Sequence, residues 1–99
     1  MPRSVSYDDY LLRSLQNPKR AEAYLNAALE EEDSRIFLQA LRQVAEAHGG
    51  LGKAAARSRL NRESLYRMLS KRGNPSLRSL GALLSSLGFR LAVESKKAA

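Results

Sequence analysis

The run from Leu51 to Ser70, L-G-K-A-A-A-R-S-R-L-N-R-E-S-L-Y-R-M-L-S, constrains this chain more than any other feature. Two short helical patterns flank a break of three residues, Arg59, Leu60 and Asn61. The first pattern, 51–58, offers Ala54, Ala55 and Ala56 where a second helix must cross it, with Ala55 best placed. A large side chain there would push the helices apart. Leu60 is placed to fill the core from the turn. The second pattern, 62–71, puts Leu65, Met68 and Leu69 at i, i+3 and i+4, which makes one buried stripe. Asn61 is a good N-cap, so this helix starts at Arg62. Two short helices packed steeply across such a turn make a helix-turn-helix.

The geometry of the second helix then sets its outer face. Arg62, Glu63, Ser64, Tyr66 and Arg67 are the candidate base readers, because early residues of a recognition helix reach base edges in the major groove. Arg62 and Arg67 can make bidentate contacts to guanine, and Glu63 can accept from a cytosine amino group. Glu63 can equally orient Arg67, four residues on. Ser64 and Tyr66 suit phosphate or base contacts. Lys53, Arg57, Arg59, Lys71 and Arg72 surround this helix as candidate phosphate contacts, and Asn74, Ser76 and Arg78 add to them from the next loop. Seven basic residues fall in 51–72 against one acidic residue. The amides of Leu51, Gly52 and Lys53 open a helix and can also hold a phosphate.

Charge distribution points the same way. Residues 1–48 hold 6 Lys/Arg and 8 Asp/Glu, whereas residues 49–99 hold 11 and 2, so nearly all of the net +7 belongs to one half. A concentrated basic field suits a polyanion. The basic half lacks the long apolar face with Trp or Phe of a membrane-surface helix, and no run is long enough to span a bilayer. The N-terminus has no apolar run after its charge, so a signal peptide is not expected and the expected location is cytoplasmic. Without cysteine there is no disulfide framework and no thiolate zinc site. His48, the one histidine, is expected at a helix end or on the surface, not as a base or a metal ligand. No nucleophile–base pair, carboxylate pair or metal cluster is visible, so neither catalysis nor a cofactor is expected.

The remaining periodicities predict an all-α chain. Helices are expected at 7–15 (Tyr7, Leu11 and Leu15 on one stripe, capped by Ser6 or Asp8), 18–31 (Ala21, Tyr24, Leu25, Ala28 and Leu29) and 35–47 (Phe37, Leu38, Leu41, Val44 and Ala45). Pro18 suits a helix start, Asp33 or Ser34 caps the third helix, and Gly49-Gly50 stops it. A sixth helix, 77–87, points Leu77, Leu80, Leu83, Leu84 and Leu87 inward. Phe89, Leu91 and Val93 then alternate with polar or small residues, which predicts a short strand. A lone strand needs a partner, and these three residues are expected to pair with a second copy of the chain. The expected organisation is an N-terminal helical extension at 1–33, a helix-turn-helix domain with its C-terminal strand at 34–94, and a disordered tail at 95–99. Of the 1–48 segment, Tyr7, Tyr10, Tyr24 and Leu25 can serve packing or a partner, and Glu30–Asp33 can be a solvated helix end or meet a basic protein.

The segment G-G-L-G-K-A-A-A-R-S-R-L-N-R-E-S-L-Y-R-M-L-S-K-R-G-N-P-S-L resembles the Cro/C1-type (lambda repressor-like) helix-turn-helix family. More narrowly, N-R-E-S-L-Y-R-M-L-S followed by G-N-P-S-L resembles the addiction-module antidote proteins, the antitoxins of bacterial and prophage type II toxin–antitoxin pairs. Y-L-N-A-A-L-E-E and F-L-Q-A-L-R-Q-V-A-E-A-H-G-G extend the likeness over roughly 7–93. One departure is Arg59, where many such motifs have glycine: either the turn geometry differs here or Arg59 takes the left-handed conformation at some cost. The resemblance implies a transcriptional repressor that binds the palindromic operator of its own operon as a homodimer. It also implies that the chain neutralises a small toxin protein, a RelE-like ribonuclease. The alternative is a stand-alone prophage-type regulator with no toxin partner. A helix-turn-helix can also act purely as a protein-interaction module.

Overall fold

The computed structural model describes residues 7–97. Ser6, one candidate cap of the first helix, and the last two residues of the expected tail lie outside them. Six helices follow in order: α1 (Tyr7–Ser14), α2 (Pro18–Leu29), α3 (Ser34–Ala47), α4 (Leu51–Ser58), α5 (Arg62–Met68) and α6 (Leu77–Ser86). No strand occurs among the described residues.

Local chemistry explains where the helices begin. Asn17 Oδ1 accepts from the Lys19 and Arg20 amides at 2.9 and 3.2 Å, and Pro18 occupies the first turn, where a missing N–H costs nothing. Asp33 caps α3 through the Arg35 amide. The Arg35 guanidinium also bonds the Asp33 carboxylate at 2.8 Å, which holds that carboxyl below its ordinary pKa. Ser76 Oγ caps α6 by accepting from the Ser79 amide at 3.0 Å.

Three helices end in the same left-handed way. After α3, Gly49 takes φ +112° and the Gly50 amide reaches back to the Ala45 carbonyl at 3.0 Å. After α6, Gly88 takes φ +92° and the Phe89 amide reaches the Leu84 carbonyl at 2.8 Å. After α4 the residue in this conformation is Arg59, at φ +60°, and the Leu60 amide bonds the Ala55 carbonyl at 3.1 Å. All three bonds run from the residue after the left-handed one to the carbonyl five positions earlier, in the last turn of the helix, as in the Schellman motif.

The amphipathic stripes meet in one core. It joins Leu15, Ala21, Leu25 and Ala28 from the first two helices to Phe37, Leu38, Ala40, Leu41, Val44 and Ala45 of α3. It continues through Leu51, Ala54 and Ala55 to Leu65, Met68 and Leu69, and through Leu83, Leu84 and Leu87. Helix α3 packs against α1, α2 and α4, and α4 packs in turn against α5 and α6. Ala54 and Ala55 are buried as expected, and their small size allows that second pairing, whereas Ala56 is exposed. Two polar contacts reinforce the packing of α1 and α2 on α3. His48 Nε2 lies 2.9 Å from the Leu15 carbonyl, and the Tyr24 hydroxyl donates to Gln43 Oε1. His48 is thus a helix-terminal residue with a structural bond.

Four expectations need correction. Helix α5 ends at Met68, not at 71, because the chain turns there: the Ser70 hydroxyl donates to the Arg67 carbonyl and the Gly73 amide to the Ser70 carbonyl. Leu77, expected inward, is 73% exposed, because the first turn of α6 lies outside the core that Leu83, Leu84 and Leu87 enter. Tyr7 and Leu29, expected on buried stripes, are also exposed, at the outer ends of α1 and α2.

The fourth correction concerns 89–93. Phe89 packs partly against the core, Leu91 lies over Gly81 of α6, and Val93 is 99% exposed. In the single chain this alternation forms no strand, because no second strand lies beside it among the described residues and burial falls steadily away from α6. Within this one chain Phe89, Leu91 and Val93 therefore stand outside any strand.

This core predicts a contrast between two leucines. Leu65→Ala, at a fully buried position, should cost about 2–5 kcal/mol in urea unfolding. Leu77→Ala should stay within about 0.5 kcal/mol of the parent.

Candidate nucleic-acid interface

Helix α5 is held by its buried side. Leu65 and Met68, with Leu69 just beyond, face the core, and Asn61 Oδ1 accepts from the Glu63 and Ser64 amides at 2.8 and 3.1 Å. The opposite side is therefore turned outward. Arg62, Glu63, Ser64, Tyr66 and Arg67 are all exposed.

Two pairs form within this set. The Arg62 guanidinium lies 5.8 Å from the Tyr66 ring centroid, and Arg67 Nη2 is 3.4 Å from Ser64 Oγ. Among the described residues Glu63 makes no ion pair with Arg67, so it does not orient that side chain here. Sequence reasoning missed one participant, Arg42 of α3, whose guanidinium also stands 5.9 Å from the Tyr66 centroid. No local spacing signals this contact, because it joins residues 24 positions apart and depends on how α3 and α5 are brought together.

The expected phosphate contacts Lys53, Arg57, Arg59, Lys71, Arg72, Asn74, Ser76 and Arg78 are all exposed. Ser64, Arg67, Arg72, Asn74 and Ser76 line one open groove of about 360 Å³ between α5 and the start of α6, floored by Leu60 and Met68. Lys71 lies in the turn beyond α5 and does not line that groove. Gly73 shapes the groove through space, not through φ: a Cβ there would fall on the Met68 carbonyl. On the other flank, α4 is preceded by Gly50, which offers no side-chain cap, and the Arg62 guanidinium lies beside Gly52. The outer surface of α5 thus carries cations on both flanks.

The family model described as "Probable addiction module antidote protein" matches residues 7–95. The chain belongs to this addiction-module antidote family. A relative in Haemophilus influenzae, described as an uncharacterized protein, is 28% identical over 83 residues, covering 84% of each chain. No solved structure matches significantly. The family match spans all six helices of this antidote-family chain and most of the segment after α6. No helix among its described residues is long and apolar enough to cross a membrane.

Of the N-terminal residues considered for a partner, Leu25 is buried and Tyr24 is half-buried, its hydroxyl pKa raised by burial and by nearby Tyr7. Both serve packing. Tyr7 and Tyr10 are exposed.

Arg59 connects fold and surface. A non-glycine residue in the left-handed region costs about 1–2 kcal/mol, and glycine returns part of that gain through its freer unfolded chain. Arg59→Gly should therefore raise unfolding stability by about 0.5–1 kcal/mol. A fall in the urea midpoint would show that the guanidinium makes a contact worth more than the strain.

Proposed function

We propose that this chain is the DNA-binding antitoxin of a type II toxin–antitoxin module, which represses its own operon and neutralises a small toxin. Helix α5 is the recognition helix of a Cro/C1-type unit in this reading. One observation carries it: α5 buries Leu65 and Met68 while its whole reading set, Arg62, Glu63, Ser64, Tyr66 and Arg67, faces outward among cations. Arg62 and Arg67 read guanines in the major groove, and the groove lined by Arg72, Asn74 and Ser76 takes backbone phosphates. A single unit reads only a few base pairs, so two copies act on a palindromic operator. Family membership supports the toxin partner. The exposed tyrosines of α1, Tyr7 and Tyr10, are the proposed contact, since they are large side chains that the core leaves unused.

Operator selection from a random duplex pool, followed by titration of variants, tests the DNA half of this reading. Arg67→Ala should cost about 1–3 kcal/mol at the selected duplex and relax its sequence preference. Arg72→Ala should weaken all duplexes alike and lower the salt slope by about 1. Equal losses for Arg67→Ala on selected and random DNA would remove it as a base reader. For the toxin half, Tyr10→Asp should abolish co-purification of the co-expressed toxin and leave operator affinity unchanged. Retention of the toxin would move the contact elsewhere.

A further inference from the structure

Tyr66 stands near two guanidinium groups that reach it from different helices. Arg62 comes from one turn earlier on α5, with its carbon 5.8 Å from the ring centroid. Arg42 comes from α3, at 5.9 Å. Both distances lie within the range at which a cation is attracted to an aromatic face. Arg42 is itself steadied from one turn later on α3, where Glu46 Oε2 lies 4.0 Å from its Nε. Glu46, Arg42, Tyr66 and Arg62 therefore form one continuous chain of contacts, from outside the helix-turn-helix into the middle of the reading face.

Each of these side chains is partly exposed, so the arrangement adds little to stability. Its effect is on geometry. Tyr66 and Arg62 are otherwise mobile surface side chains, and ordering them on DNA costs conformational entropy. A ring already placed against two guanidinium groups has lost part of that freedom before the encounter.

We propose that Arg42 is a positioning residue for sequence recognition: through the Tyr66 ring it holds Tyr66 and Arg62 in the orientation presented to DNA. The inference rests on the DNA-binding reading above. It adds a specificity determinant from α3, a helix that contributes none of the base readers identified from sequence.

The test is a mutant cycle read on two duplexes, one selected from a random pool by the wild-type chain and one scrambled. Arg42→Ala should weaken the selected duplex about two- to fivefold, the range of one exposed cation–π contact, with the salt slope unchanged. The same loss should appear in a Tyr66→Phe background, which keeps the ring, and vanish in a Tyr66→Ala background. A loss that persists without the ring, with a salt slope lower by about 1, would make Arg42 a direct phosphate contact and overturn the inference. A lower melting temperature with an unchanged ratio between the duplexes would assign it a structural role and overturn it too, as would no loss at all. If the wild-type chain fails to distinguish the two duplexes, the DNA-binding reading falls first and takes this inference with it. If it does distinguish them and Arg42→Ala matches it, the positioning role alone falls.

Discussion

The close approach of α4 to its neighbours is the constraint on which the rest of the structure depends. Ala54 and Ala55 are buried where α4 packs against α5 and α6, and only small side chains leave the space for it. Once that approach is made, Leu65 is fully enclosed, and its burial decides which side of α5 points away from the core. The outward placement of five polar and aromatic side chains follows from these apolar contacts. Packing selects the functional face, and the charges on it need only be compatible with water.

Much of this was legible because it is local. Caps at Asp33 and Asn61 act within two or three residues, so a single sequence shows both partners. The stripe of α3 and the stripe through Leu65, Met68 and Leu69 are equally local, since helical spacing alone identifies them. At Arg59, where related motifs carry glycine, the sequence left two turn geometries open, and the backbone takes the left-handed one.

What escaped the sequence depends on long-range placement. A leucine stripe says which face of a helix is apolar, but not how far along the helix the core extends. That is why Leu77 and Leu29, both on apolar stripes, lie outside. Alternation at 89–93 suggests a strand only when a second strand is at hand; here the segment leaves Gly88, and Phe89 and Leu91 lie along the core and α6 instead. The close approach of Gly73 to the Met68 carbonyl is likewise visible only in three dimensions. The candidate surface was correspondingly legible on α5 and illegible at Arg42, whose contact exists only in three dimensions.

The bond between His48 and the Leu15 carbonyl, with Leu15 itself buried, has a thermodynamic consequence. It helps to make the N-terminal helices and the α4–α6 region share one cooperative core. A ligand that grips only the folded form of α1 and α2 therefore stabilises α5 as well, by RT ln(1 + [L]/Kd), without touching it. Linkage is reciprocal, so whatever α5 binds protects the N-terminal helices from unfolding to the degree its own affinity allows. Two surfaces with no shared residue can thus influence each other's lifetime through nothing more than a common unfolding equilibrium.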